Sequence, residues 1–249
     1  MRRERADGIE TLWLAPSLPG RGYVLADWTY LLDTCRELAA DAALRCLVLR
    51  GEGAGLSVGA DLCDVREHVT GGHGEAYKAT TRLALRTLAE LALPTVAVID
   101  GPCTAGSTAI VNACDVRLGS PAATFEFPPA RLGLVYPQVS VQLLVRAVGS
   151  PAAKHLLYSG RVIDAAHALR IGLLQEVGDP AGLLARFTAE IAGGEPASHR
   201  SHKLLVDHAA MAFDSAALEQ AGYDTQRFAD VAQPGGHPGA QPGGPAGRP

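Results

Sequence analysis

The sequence lacks the features that mark several specialised classes of protein. Its 249 residues carry a net charge of −4, so it has no basic excess with which to neutralise nucleic-acid phosphates. No apolar run approaches the ~20 residues that a membrane helix needs. The basic residues at the start are not followed by the apolar segment of a secretory signal. We therefore expect neither a nucleic-acid partner nor a membrane partner.

Motifs for metals and disulfides are also missing. The five cysteines are odd in number and irregularly spaced, and no C-x-x-C occurs. The eight histidines form neither an H-E-x-x-H motif nor any other metal-binding pattern. This predicts reduced, buried cysteines in a cytoplasmic protein and no metal site.

What the sequence does contain is an alternation of predicted strands and helices. The strands are predicted over 8–15, 46–50, 95–99 and 116–118, and the helices over 28–40, 75–92, 107–114, 139–148 and 151–159. From 199 to 231 the pattern is helical only. Such alternation predicts an α/β fold with parallel strands, followed by a helical C-terminal part.

The last 17 residues form a segment of different composition. Residues 233–249 contain five prolines and six glycines and almost nothing to bury, which predicts a disordered tail. With 47% hydrophobic residues, the rest is long enough to bury a proper core.

Two glycine-rich loops follow predicted strands. The loop over 51–62 lacks a glycine at Leu56, so it is not a G-x-G-x-x-G dinucleotide motif, and it also lacks the G-K-[ST] of a P-loop. The loop over 100–109 leads into a helix through small residues, where free backbone N–H groups can hold a developing oxyanion. Without a ligand, the same loop is only a tight strand-to-helix turn. A third loop, over 125–137, is rich in proline and aromatic residues.

Taken in order, the motifs of this chain resemble those of the crotonase (enoyl-CoA hydratase/isomerase) superfamily. The resemblance covers roughly residues 8–232 and rests on Ser57-Val58-Gly59-Ala60-Asp61-Leu62, Leu93-Pro94-Thr95-Val96-Ala97-Val98-Ile99-Asp100-Gly101, Cys114-Asp115-Val116-Arg117, Ala130-Arg131-Leu132-Gly133-Leu134, Gly160-Arg161-Val162-Ile163-Asp164-Ala165 and Ala168-Leu169-Arg170-Ile171-Gly172-Leu173. These motifs are specific for the superfamily and not for one reaction, because the fold hosts several chemistries.

The resemblance implies a spiral core of repeated ββα units, which we place at 1–195. It also implies a helical trimerisation region, which we place at 196–232, and assembly as a homotrimer or a dimer of trimers. The implied substrate is an acyl thioester of coenzyme A or of a carrier protein, with no further cofactor. Its carbonyl would accept hydrogen bonds from the backbone N–H groups of Ala60 and Gly106, which would stabilise an enolate.

Hydratases of this superfamily use two glutamates that are missing here. The matching positions hold Ala109 and Pro129, and neither residue can transfer a proton. Tyr136 aligns with a position that is catalytic in other branches, and the loop before it resembles that of decarboxylases. We predict Tyr136 as a third catalytic residue, the alternative being a tyrosine that only packs.

Further predicted contacts to the substrate come from the same loops and the segment after the first of them: Val58, Gly59, Asp61, Leu62, His68, Cys103, Thr104 and Pro129. The favoured function is decarboxylation or isomerisation of an acyl thioester. The alternatives are a hydratase with substitute acid and base residues, and a catalytically silent accessory subunit.

Overall fold

A computed structural model describes residues 1–17, 21–53, 55–56 and 59–210. Within them the chain forms an α/β fold, as predicted. No helix among these residues combines the length and the apolar character needed to span a membrane.

The larger sheet has six strands, in the order β1-β2-β3-β4-β6-β9. Four of its five pairings are parallel and only β1–β2 is antiparallel, which confirms the predicted parallel arrangement. Its strands are β1 (Arg2–Ala6), β2 (Ile9–Leu14), β3 (Cys46–Gly51), β4 (Thr95–Ile99), β6 (Val116–Gly119) and β9 (Glu176–Val177).

A second sheet of three short strands lies beside the loops of interest. It has the order β5-β7-β8, with β5 (Pro102–Thr104), β7 (Thr124–Glu126) and β8 (Val162–Asp164). Because β5 follows β4 almost directly, the chain between them turns sharply at Gly101, whose φ is +121°. Glycine adopts this conformation without strain.

The described helices are α1 (Leu25–Ala39), α2 (Leu62–Thr70), α3 (Gly74–Ala89), α4 (Gly106–Asn112), α5 (Pro129–Leu132), α6 (Gln138–Ser159), α7 (Ala165–Arg170), α8 (Pro180–Gly193) and α9 (Pro196–Ala210). The two helices predicted over 139–159 are joined as α6, which is interrupted at Gly149 with φ +74°. The strand β1 and the helices α2 and α8 were not expected from the sequence.

The central strands are buried on both faces, which explains why they appear as continuous apolar runs. Leu47, Leu49, Ala97 and Ile99 belong to the main core beneath α1 and α3. Val48, Val96 and Val98 face the other way, in a smaller cluster closed by Ile191 of α8.

The C-terminal helix α9 is tied to the core through polar contacts. Lys203 donates to the carboxylate of Asp115 at 2.8 Å and to the backbone oxygen of Leu93 at 3.1 Å.

The structure describes the predicted trimerisation region at 196–232 only as far as residue 210. Its remainder and the predicted tail at 233–249 lie outside the described residues, so both remain predictions.

Candidate active site

A cavity of about 110 Å³ lies between α1, α3, the loop after β3 and the first turns of α4 and α6. It brings together the three residues predicted to be catalytic, Ala60, Gly106 and Tyr136. The other lining residues are Trp28, Leu62, Tyr77, Thr81, Leu85, Ala105, Ala109, Leu132, Leu134, Pro137 and Ser140.

The backbone at Ala60 is held by an isolated parallel β-bridge that pairs Ala60 with Tyr23. Tyr23 N–H donates to Gly59 O at 2.7 Å, and Asp61 N–H donates to Tyr23 O at 2.9 Å. In a parallel bridge these two bonds use the residues on either side of Ala60. The N–H of Ala60 is therefore left on the side away from Tyr23.

Gly106 begins α4 after a strained residue. Ala105 has φ +52° and ψ −118°, a conformation that costs a non-glycine residue about 1–3 kcal/mol. Its N–H donates to Glu126 O at 3.0 Å, and its carbonyl accepts from the N–H and the hydroxyl of Thr108 at 3.0 and 2.6 Å. These bonds hold the turn, and the N–H of Gly106 has no partner within the helix because it lies in the first turn.

The two loops approach each other more closely than side chains would allow. A Cβ on Gly106 would lie 2.9 Å from the nitrogen of Ala60, and a Cβ on Gly59 would lie 2.4 Å from the nitrogen of Gly106. The backbones of the two loops therefore lie in direct contact, which glycine allows at these two positions, and both Ala60 and Gly106 line the cavity. An oxygen atom in the cavity that reaches both N–H groups would accept from two backbone donors, as in an oxyanion hole.

Two phenols line the cavity, those of Tyr77 and Tyr136, and the hydroxyl of Tyr136 is the one predicted to act. It is buried and forms no hydrogen bond with any described residue. Burial, with a smaller contribution from neighbouring Cys103, raises its pKa above the ordinary value for tyrosine. The phenol is therefore protonated at neutral pH and can act as a proton donor, but not as a base.

Carboxylates are missing from the cavity wall. Ala109 lines the wall, and Pro129 begins α5 outside the lining; these are the two positions at which the resemblance leads us to expect the glutamates of a hydratase. Glu126 is bound in an ion pair with Arg131. Among the described residues that line this cavity, none carries a charge.

Two of the predicted substrate contacts border the cavity and one faces elsewhere. Leu62 lines the wall, and Gly59 borders the space between the loops. The carboxylate of Asp61 instead accepts two hydrogen bonds from Arg21, both at 2.6 Å, and one from Asp64 N–H at 3.0 Å. The Arg21 guanidinium lowers the pKa of Asp61, and the group orders the start of α2.

The remaining predicted contacts lie outside the cavity lining. Cys103 is fully buried in β5, where desolvation raises its thiol pKa, and Thr104 follows it half-buried. His68 on α2 lies 3.6 Å from the carboxylate of Asp64 and against the ring of Tyr77. Val58 lies outside the described residues. The substrate contacts assigned to these residues remain predictions.

Four polar or aromatic lining residues were not identified from the sequence. Tyr77 and Thr81 are four residues apart on α3, and the same spacing leads to Leu85. Such a stripe is typical of a helix face that packs on the core, so it gives no functional signal. The sequence around Trp28 on α1 and Ser140 on α6 likewise contains no motif that would indicate a functional role.

Comparison of the sequence with known proteins shows which family the chain resembles. A model of the enoyl-CoA hydratase/isomerase family matches residues 26–234. A Thermus thermophilus relative, provisionally named an enoyl-CoA hydratase, is 35% identical over 181 residues, which cover 71% of either chain. A mitochondrial Delta(3,5)-Delta(2,4)-dienoyl-CoA isomerase of Dictyostelium discoideum is 31% identical over 187 residues, covering 70% of this chain and 64% of its own.

A solved structure supports the same relationship. The enoyl-CoA hydratase/carnithine racemase of Magnetospirillum magneticum superposes with a TM-score of 0.77 at 27% identity. The match covers 92% of this chain and 88% of that one.

Proposed function

The chain belongs to the enoyl-CoA hydratase/isomerase family, and we propose that it decarboxylates a short acyl thioester through an enolate. The thioester is carried by coenzyme A or by a carrier protein. The observation that carries this proposal is one cavity with two backbone N–H donors, a protonated tyrosine and no charged side chain in its described lining. Decarboxylation suits this set because it needs an electron sink and a proton donor but no base.

The reaction can be written with these groups alone. The bond between the α-carbon and the carboxylate breaks, and its electron pair passes through the α-carbon to the thioester oxygen between Ala60 and Gly106. Carbon dioxide leaves, and the hydroxyl of Tyr136 gives its proton to the α-carbon. Water then returns a proton to the phenolate.

Isomerisation is the second candidate, because the Dictyostelium relative is named an isomerase. It would use the same oxyanion hole, but the enolate would arise by removal of a proton. The described lining supplies no carboxylate or imidazole for that step. Hydration by substitute residues meets the same difficulty, and a silent accessory subunit would turn over no thioester at all.

These alternatives can be separated with a panel of acyl-CoA thioesters followed by mass spectrometry. Loss of carbon dioxide supports the proposal, gain of water indicates a hydratase, and a product of unchanged mass with altered retention indicates an isomerase. If no thioester in a panel that includes malonyl- and methylmalonyl-CoA loses carbon dioxide, the proposal is wrong.

Tyr136→Phe tests the proton donor because it removes only the hydroxyl. The turnover number should fall by about 10²–10⁴-fold, as expected for a positioned acid, while product binding changes little. Tyr158→Phe is the matched control, since Tyr158 is exposed on α6 and should be neutral. A fall of less than about threefold would make Tyr136 a packing residue.

The assembly and the cellular location are also proposals. We expect a homotrimer or a dimer of trimers in the cytoplasm, on the family resemblance alone.

A further inference from the structure

Two hydrogen-bond donors of the cavity have no partner. The indole nitrogen of Trp28 and the hydroxyl of Tyr136 are both buried and form no hydrogen bond with the residues that the structure describes. Trp28 is only 3% exposed, and both residues line the same cavity. Buried polar groups in native proteins are nearly always satisfied, so an unpaired pair at one cavity indicates a ligand that accepts from them.

Two other hydrogen-bonding groups of the wall are already paired within their own helices. The hydroxyl of Thr81 already donates to the backbone of α3, at 3.1 Å from the oxygen of Tyr77. The N–H of Ser140 donates to Pro137 O at 2.9 Å, within the first turn of α6. A ligand that fits two donors carries acceptor oxygens without bringing further donors of its own.

The size of the cavity limits that ligand. A volume of about 110 Å³ suits a short acyl group and not a long chain. A methylene carbon with its carboxylate is such a short group. An ionised carboxylate has only acceptors, and hydrogen bonds to charged groups are the stronger ones.

We propose that Trp28 is a specificity-determining residue for short carboxyacyl thioesters, with its indole N–H and the hydroxyl of Tyr136 donating to the carboxylate of the substrate. This inference rests on the proposed function for the place of the thioester, but it concerns binding and not turnover. Trp28 would select substrates that carry a carboxylate over alkyl chains of the same shape.

Two unreactive thioethers test the binding preference without any chemistry. S-(2-carboxyethyl)-CoA carries the carboxylate, and S-(3-methylbutyl)-CoA replaces its two oxygens with methyl groups. The ratio of their affinities, measured by calorimetry, should shift by about tenfold or more against the carboxylate in Trp28→Phe. Trp13→Phe is the control, since the Trp13 indole donates to Glu4 at 3.1 Å and does not line this cavity. A shift of less than about twofold in Trp28→Phe overturns the proposal.

A second measurement uses the unaltered protein, so it does not depend on how Trp28→Phe folds. The chain has only two tryptophans, so a ¹H–¹⁵N correlation spectrum shows two indole signals, which Trp13→Phe assigns. The Trp28 indole proton should move downfield with S-(2-carboxyethyl)-CoA and much less with S-(3-methylbutyl)-CoA. Equal movement with both ligands, or none with the first, overturns the proposal. Because neither ligand can decarboxylate, these results stand apart from whether the reaction itself is confirmed.

Discussion

Gly106→Ala should abolish most of the activity, with a local cost in stability that the melting temperature measures. The added Cβ would lie 2.9 Å from the backbone nitrogen of Ala60, which is closer than a methyl group can approach. The two loops would therefore have to move apart, and the N–H groups of Ala60 and Gly106 would no longer converge on one oxygen. Gly106 has an ordinary backbone conformation at the start of α4, so alanine introduces no φ strain there.

The expected loss follows from the number of donors displaced, since alanine keeps the backbone N–H but moves it away from the other donor. Losing one oxyanion-hole donor costs about 10²–10³ in the turnover number, or about 3–4 kcal/mol of transition-state stabilisation. Stability should fall, because the Cβ would lie 2.9 Å from the backbone nitrogen of Ala60 and 3.3–3.4 Å from Gly59, and the helix preference of alanine offsets only up to about 1 kcal/mol of that cost.

The assay is kcat/KM on whichever thioester the panel identifies, with the melting temperature measured in parallel. Gly193→Ala is the matched control: it also lies in a helix, and its Cβ would meet nothing within 4 Å. If folded Gly106→Ala keeps more than about a third of the wild-type kcat/KM, the oxyanion hole does not lie between these loops.

Two further predictions concern the surroundings of the site. The pKa of Asp61 is lowered by Arg21, so the pair stabilises the fold at neutral pH and its contribution is lost as the pH falls through that lowered pKa. Asp61→Asn retains a good helix cap, so it should lower the melting temperature at pH 7 and flatten the decline below about pH 4. Unchanged acid sensitivity would rule out this pair as its cause. Cys63 is exposed, whereas burial raises the pKa of Cys35 and of Cys46 to about 12. A thiol reagent should therefore modify one cysteine rapidly in the native protein, and Cys63→Ser should remove that reaction; several rapid thiols would contradict the described burial.

The sequence predicts the central strands well because they are short, largely apolar and bounded by clear breaks. Strand β4 was predicted at its observed bounds, between Pro94 and the turn at Gly101. Strand β1 was missed because its residues Arg2–Ala6 are almost all charged, and it pairs only at the edge of the sheet. Helix α8 closes the smaller core with Ile191 but was not predicted. The spacing of its apolar residues was not recognised as helical.

Some residues of the candidate site could be predicted from the sequence, and others could not. Ala60, Gly106 and Tyr136 lie in loops with recognisable motifs, so sequence reasoning could predict that they meet. Trp28 could not be predicted in this way, because its role depends on the absence of a partner for its indole nitrogen in the folded chain. A hydrogen bond that is not made leaves no pattern in a sequence, whereas in the structure it is a plain observation.

The distribution of unfavourable features argues against a silent accessory subunit. Ala105 is strained, two glycines are needed where the loops meet, and two buried donors have no partner. Strain costs about 1–3 kcal/mol, and each unsatisfied buried donor costs about 1–3 kcal/mol more. These features adjoin one cavity, whereas Asp7 at positive φ and the unpaired buried atoms of Arg45, Arg50 and Asn112 lie elsewhere. A subunit that only supported others would gain nothing from the features at the cavity. A thioester whose carbonyl lies between Ala60 and Gly106, and whose carboxylate meets Trp28 and Tyr136, would make each of them useful in the bound state.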